Sequence, residues 1–264
     1  MGPRRGDGLH ELCSLFQPLS LSDRVVVHEG DADEVVCRGV DGPNLAADAL
    51  QRLRAREWDR APLRVEIEKR IPVAAGLGGG SADAAALLRI ARGAVDGIKE
   101  LAAELGADVP SQLEPRFALV GGAGEAVESL PIPGEYGLVL IPDADGLATA
   151  EVYERADRMG VGRDRDELDD LRERLRVAAR SGASPLEYAD LLVNDLQEPV
   201  LELRPAVQGA ISALESAGAA RAMVTGSGPT AFGLFPDIAR ADRAAAALPP
   251  RYAGAIVTAP DSYR

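Results

Sequence analysis

Ile71-Pro72-Val73-Ala74-Ala75-Gly76-Leu77-Gly78-Gly79-Gly80-Ser81-Ala82-Asp83-Ala84-Ala85 is the stretch of this 264-residue chain that says most about it. Four glycines fall in the five positions from Gly76 to Gly80. Without side chains there, backbone N–H groups can approach a ligand closely. The alanine- and leucine-rich run that follows predicts a helix from about Ser81 to Arg92. The first N–H groups of such a helix lack intrahelical partners, and its dipole is positive at that end. Loop and helix together suit an oligophosphate, with each dipole contact worth roughly 0.3–1 kcal/mol at an exposed site. A tight turn alone would account for the glycines but not for the order of loop and helix. A Walker A loop ends in Gly-Lys-Ser/Thr, and Gly80-Ser81 carries no lysine. A dinucleotide fingerprint comes nearer, with Gly76-x-Gly78 and Asp96 beyond it, but its third position here is Ser81. The strand before it also alternates with charges, where a central parallel strand is apolar on both faces. A dinucleotide-binding oxidoreductase is therefore the weaker alternative.

Upstream of the loop, Leu63 to Lys69 alternates strictly and predicts a half-buried strand in a mostly antiparallel sheet. Asn44 is placed as the N-cap of a helix reaching about Arg56, with Leu45, Ala49, Leu50 and Leu53 on one face. The run Val25-Val26-Val27 predicts a strand. Downstream, Ile98 to Leu105 predicts a helix stopped by Gly106. Phe117 to Val120 and Gly137 to Ile141 read as strands, with turns at Gly121 to Gly124 and Pro131 to Gly134 between them. Arg163 to Arg180 reads as a solvated helix. Helical patterns start at Asn194-Asp195 and run from Pro205 to Ala217, with Gly218 closing the second. Arg221 to Val224 and Ala231 to Phe235 are strand-like around Thr225-Gly226-Ser227-Gly228-Pro229-Thr230. Strands and helices mix without regular βα alternation, which points to an α+β fold, with a division near Gly137.

Composition narrows the function. Lys plus Arg is 29 against 42 for Asp plus Glu, a net charge of −13. A phosphate backbone would repel such a chain, so no nucleic-acid partner is expected. At 46% hydrophobic and 27% charged residues, the chain is globular rather than disordered. No apolar run reaches the length of a membrane span, and the charges of Met1 to Gly8 precede no apolar core of a signal peptide. Cys13 and Cys37 make no disulfide framework, and a cytoplasmic location with reduced thiols is expected. Lys69 and Lys99 are the only lysines, so chemistry that needs one has two candidates.

The motif Pro72-x-x-x-Gly76-Leu77-Gly78-Gly79-Gly80-Ser81 resembles the phosphate-binding segment of the GHMP kinases. Other segments resemble that family in its own order. They are Asp7-Gly8-Leu9-His10-Glu11-Leu12 followed by Ser14-Leu15-Phe16-Gln17, Leu105-Gly106-Ala107-Asp108-Val109-Pro110, Gly122-Ala123-Gly124-Glu125, Val193-Asn194-Asp195-Leu196 and Thr225 to Thr230. The resemblance spans nearly the whole chain. It implies a two-domain α+β kinase, residues 1–137 forming an ATP-binding domain and residues 138–264 a C-terminal domain, with the active site between them.

The resemblance also implies roles. Gly76, Leu77, Gly78, Gly79, Gly80 and Ser81, with Pro72, Val73, Ala74 and Ala75 ahead and Ala82 behind, would wrap the ATP phosphates. Asn44 would lie near the adenine, a helix cap being an equal alternative. Asp108 would accept the proton of the substrate hydroxyl, a role that typically contributes ~10²–10⁴-fold. Read without the family, Asp108 before Val-Pro is a turn or cap residue. His10 would hydrogen-bond the cytosine of a CDP-linked polyol; unaided, it reads as a surface histidine. Gly226, Ser227 and Gly228 would form a second glycine loop over the substrate or phosphates. ATP implies Mg²⁺, but no acidic pair singles out its ligands. The expected partner is this small molecule, on a monomer or homodimer.

Three departures stand against the pattern. The family carries a strand Pro-Ala-Lys-Asn-Leu ahead of the segment matched at Asp7, and its lysine partners the catalytic aspartate. Only six residues precede Asp7, none of them lysine, and neither Lys69 nor Lys99 matches the position. Arg4 and Arg5 are no substitutes, because a guanidinium differs in geometry and keeps its proton. A start codon assigned too far downstream is the expected reason, Met1-Gly2-Pro3-Arg4-Arg5 standing where relatives read Val-Gly-x-Arg. The alternative is an impaired nucleotide binder. Second, Leu9 stands where the family has tyrosine, and Leu192 near a second aromatic. Base stacking is worth about 1–3 kcal/mol, so cytidine recognition should weaken or the substrate differ. Third, Ser111-Gln112 replaces an aromatic or apolar pair, and the stretch from Ser81 to Asp108 is short.

Overall fold

The computed structural model describes residues 1–40 and 42–261. In chain order the first half contains β1 (Leu12–Phe16), β2 (Arg24–Glu29), β3 (Glu34–Cys37), α1 (Leu45–Ala55), β4 (Leu63–Glu68), α2 (Gly79–Ala91), α3 (Ile98–Leu105), the short α4 (Val109–Gln112), β5 (Ala118–Gly122) and β6 (Ala126–Ser129). The second half contains β7 (Gly137–Ile141), α5 (Thr149–Met159), α6 (Arg165–Ala179), a 3₁₀ segment at Pro185–Leu191, α7 (Gln197–Leu203), α8 (Ala206–Ser216), β8 (Arg221–Val224), β9 (Ala231–Phe235), α9 (Ile238–Ala247) and β10 (Ile256–Thr258). The fold is α+β.

The alternation of β4 is what its position requires. Leu63, Val65 and Ile67 are buried, while Glu66 and Glu68 face solvent. β4 is the central strand of a three-stranded sheet, antiparallel to β2 and parallel to β3. Its apolar face meets α1, α2 and α3, where Leu50, Leu53, Leu87, Leu88 and Leu101 join Val65 in one core. Asn44 does cap α1, its side chain accepting from Ala46 N at 2.9 Å. α2 starts two residues ahead of the expected Ser81, because Gly78 takes the left-handed conformation (φ +67°) as its N-cap. Gly106 closes α3 where expected.

A second sheet, β1-β5-β6, is antiparallel throughout. Pairing with β1 and β6 carries β5 through Gly121 and Gly122, so the turn expected there begins later. The third sheet, β10-β7-β9-β8, is also antiparallel and holds α5, α7, α8 and α9 around Val139, Ile211, Leu214 and Phe235. The charged stretch before residue 180 does form a helix, α6, opened by a capping box of Asp164 and Glu167, with Leu168, Leu175 and Ala179 buried on one face. Two further clusters span the halves. Phe117 and Leu119 pack with Leu175, Ala179 and Tyr188. Leu138, Leu140 and Leu234 receive Leu19, Leu21 and Leu77. No helix among the described residues is long and apolar enough to cross a membrane.

Candidate active site

The glycine stretch forms an open loop between β4 and α2. The first main-chain bond of α2 is Ala82 N to Gly78 O, at 2.9 Å. Among the described residues, no main-chain acceptor pairs the amides from Gly76 to Ser81. They are the unpaired donors that an anion needs at a helix N-terminus. Leu77 turns into the cluster around Leu138 and Leu140, while Ile71 and Ala75 of the same loop are buried.

The second glycine loop lies directly behind the first. A Cβ on Gly76 would stand 2.6 Å from Gly228 O and 2.9 Å from Thr225 O, and Gly76 itself has φ +71°. No other residue fits that approach. Thr225 Oγ1 reaches Gly76 O at 3.5 Å. Ala74, a non-glycine residue at φ +53°, is held there by the second half of the chain. Its carbonyl accepts from Leu147 N at 3.4 Å, and a Cβ on Gly146 would stand 2.8 Å from its own Cβ.

The second loop has its own supports. Asn194 Nδ2 donates to Val224 O at 2.9 Å and Gly226 O at 2.8 Å, the two sides of the turn. Gln197 Oε1 accepts from Val224 N at 3.0 Å. Ser227 and Thr149 share a hydrogen bond of 3.0 Å, tying the loop to the start of α5. Asp195 receives Arg163 through two bonds of 3.0 and 2.9 Å and the Met1 amino group at 2.7 Å. Burial opposes its charge, but these cations outweigh burial and hold the carboxyl below its usual range.

Asp108 stands at the start of α4, and its side chain makes no cap bond. Gln112 on the same turn has its Nε2 3.9 Å from where a Cβ of Gly78 would lie, so α4 borders the phosphate loop. On the other side, Gly124 presses its backbone on the carbonyl of Ala107, where a Cβ would collide. Burial raises the Asp108 carboxyl above the ordinary range, with no offsetting cation. Among the described residues it has no ion pair; Lys99 is exposed on α3, and Lys69 is engaged with Asp23 and Asp83. Tyr153, on α5, is pushed up to about 12, chiefly by burial and then by the charge of Asp108. Its ring lies 5.6 Å from that of His10.

His10 is buried, not at the surface. Its Nδ1 meets Gly2 O at 3.0 Å. Its Nε2 lies 3.0 Å from Asp157 Oδ1, yet in a direction that makes no proper hydrogen bond. Leu9 beside it is exposed.

Residues 44–118 match the family model described as GHMP kinases N terminal domain, and residues 167–254 match GHMP kinases C terminal. The chain is 39% identical, over 270 aligned positions, to the 4-diphosphocytidyl-2-C-methyl-D-erythritol kinase of Anaeromyxobacter sp. (strain K), covering 96% of this chain and 82% of that one. The chain belongs to the GHMP kinase family. The enzyme of the same name from Streptomyces coelicolor is 38% identical, over 94% of this GHMP kinase and 87% of its own length. Among solved structures, the crystal structure of 4-(cytidine 5'-diphospho)-2C-methyl-D-erythritol kinase gives a TM-score of 0.77 at 33% identity, covering 98% of this chain and 94% of that one. Homoserine kinase from Cytophaga hutchinsonii shares the fold, with a TM-score of 0.69 at 17% identity, covering 94% and 93% of the two chains. As a member of this family the chain is a small-molecule kinase.

The GHMP fold thus gathers most of the residues expected from sequence. The two glycine loops touch, and Tyr153 neighbours both Asp108 and His10. Asn44 serves α1 as its cap; the residue after it, Leu45, lies 3.8 Å from where a Cβ of Gly80 would be. Sequence reasoning gave no role to Asn194, Tyr153 or Gln112. Asn194 had a signal, since its segment was one of the family-like motifs. Gln112 was marked only as part of a departure from the family pattern, and Tyr153 had no signal.

Proposed function

We propose that this GHMP kinase transfers the terminal phosphoryl group of ATP to the 2-hydroxyl of 4-diphosphocytidyl-2-C-methyl-D-erythritol, a step in isoprenoid precursor synthesis in the cytoplasm. The observation that carries the reading is the row of unpaired amides from Gly76 to Ser81, at the start of α2 and beside the turn that bears Asp108. The names of the relatives supply the substrate. We read residues 1–137 and 138–264 as the two lobes of the kinase.

In this mechanism the amides of Gly76 to Ser81 hold the phosphates, and Pro72 to Ala75 and Ala82 frame them. Asp108 takes the proton of the 2-hydroxyl as its oxygen bonds to the terminal phosphorus. The bond from that phosphorus to the bridging oxygen breaks, and ADP leaves. Burial makes Asp108 a stronger base than an exposed carboxylate. Positioning and charge neutralisation supply the rest of the acceleration. Gly226, Ser227 and Gly228 back the phosphate loop and close over the substrate. We assign His10 to the cytosine from the family-like segment that carries it; its Nε2, enclosed against Asp157, has to turn outward to reach a base. Among the described residues no three His, Cys, Asp or Glu side chains form a metal-binding group. Magnesium, the usual companion of ATP, would when bound neutralise charge on the transferring phosphates, a task that needs only one or two protein carboxylates.

A second reading, a family member that binds nucleotide without turnover, is favoured by one observation: Asp108 has no cation beside it among the described residues. ADP release decides between the two. Release that depends on the polyol supports the kinase. Tight ATP binding with no polyol-dependent release, in this chain and in one extended upstream, supports the binder.

A further inference from the structure

Lys69 follows β4 immediately, and its ammonium is nearly enclosed. It donates to Asp23, and to Asp83 Oδ2 at 2.9 Å. The three side chains are only 15, 3 and 7% exposed. The other oxygen of Asp23 accepts two successive amides, Arg70 N at 2.6 Å and Ile71 N at 2.9 Å. Those are the first residues of the glycine loop. Asp83 sits on α2, just past the end of the loop. Asp23 thus holds the entry, Asp83 the exit, and Lys69 joins them. A Cβ on Gly79 would lie 3.2 Å from Lys69 Nζ and 3.0 Å from the Ile71 side chain, so the ammonium presses on the first residue of α2.

We propose that Lys69, Asp23 and Asp83 are positioning residues that clamp the two ends of the phosphate loop and so set the direction of its amides toward the triphosphate. The inference rests on the kinase reading of that loop. A buried ion cluster is a poor device for stability alone, because apolar residues of similar shape often do as well. Two carboxylates and one ammonium also leave a net negative charge near an anion site, which works against simple attraction of phosphate. Fixing geometry is what the arrangement does supply. Donors aimed before the ligand arrives need no reorganisation when it binds, and a site set slightly loose loses most of that advantage.

The test is calorimetric titration of the full chain with the ATP analogue AMP-PNP, and with adenosine in competition against it. Lys69→Met should raise the Kd for AMP-PNP by about tenfold or more, while adenosine affinity and the binding stoichiometry stay within about twofold. Asp83→Asn, which leaves the pair of Lys69 and Asp23 in place, should give a smaller loss with the same split. A purely structural role would lower the stoichiometry and leave the Kd of the folded fraction alone. That result overturns the clamp, as does equal weakening of AMP-PNP and adenosine. Should Lys69→Met fail to fold, Asp83→Asn decides by the same ratio. An unmodified chain that binds neither ligand overturns the kinase reading together with the clamp. An unmodified chain that binds both, beside variants whose ratio is unchanged, overturns the clamp alone.

Discussion

Burial raises the Asp108 carboxyl, and no cation opposes it. A group whose folded pKa lies above its unfolded value adds most to stability at low pH. The contribution is full below the unfolded pKa and is lost as pH rises through the folded one. At neutral pH the ionised Asp108 is therefore a burden on the fold that its role as base explains. Asp108→Asn should raise the melting temperature at pH 7 and leave it unchanged below about pH 3, where both states are already neutral. It should also lower polyol-dependent turnover by roughly 10²–10⁴-fold with AMP-PNP affinity kept. Thermal melts across pH, with an ADP-release assay, check both. A melting temperature that falls at pH 7 would contradict the unpaired buried charge, and a retained rate would remove Asp108 from the chemistry. Little of this was legible locally. In Ala107-Asp108-Val109-Pro110 nothing marks a base except likeness to a family. Lys69 was visible as one of two lysines, but its partners lie 46 and 14 positions away, and no periodicity links them.

At the scale of elements, the two glycine loops work as one unit, and their glycines are not equivalent. Gly76 has a left-handed backbone and faces two carbonyls of the second loop. Gly80 has an ordinary helical backbone, and its nearest neighbour, a Leu45 methyl, is 3.8 Å from a Cβ position. Gly76→Ala should cost at least about 1–2 kcal/mol from the left-handed conformation alone, with more from the clash, and should part the loops. Gly80→Ala should leave stability level or raise it by up to about 1 kcal/mol through helix propensity. Urea unfolding of both variants checks the contrast; equal losses would mean that the loops do not meet as described. Elements with a clean physical signature were legible in the sequence. β4 alternates, α1 has Asn44, α3 has Gly106, and β7, β8 and β9 are short apolar runs between turn residues. β1 was not, since Leu12-Cys13-Ser14-Leu15-Phe16 is half-buried throughout and has no alternating face. Nor was α5, whose N-cap is Ala148, a residue that gives no start signal. β3 and β10 are too short to show a period.

For the whole molecule the question is whether the halves unfold separately. Each has its own core, one around Val65 and Leu88 and one around Val139 and Phe235, which by itself favours two transitions. Against that, the cluster of Phe117 and Leu119 with Leu175 and Tyr188 belongs to neither half, and the phosphate loop sends Leu77 into the sheet of the other. Exposing either cluster would strip apolar surface from both halves, at about 25 cal/mol per Å². The shared clusters should win, giving one calorimetric transition whose van't Hoff and calorimetric enthalpies agree. AMP-PNP at about a hundred times its Kd should then move the entire transition, by about 2.7 kcal/mol of added stability. Two resolved transitions, only the first of them shifted by nucleotide, would mean that the second half does not brace the phosphate loop. The contacts of Gly76 with Thr225 and Gly228 would then be too weak to couple binding to the fold.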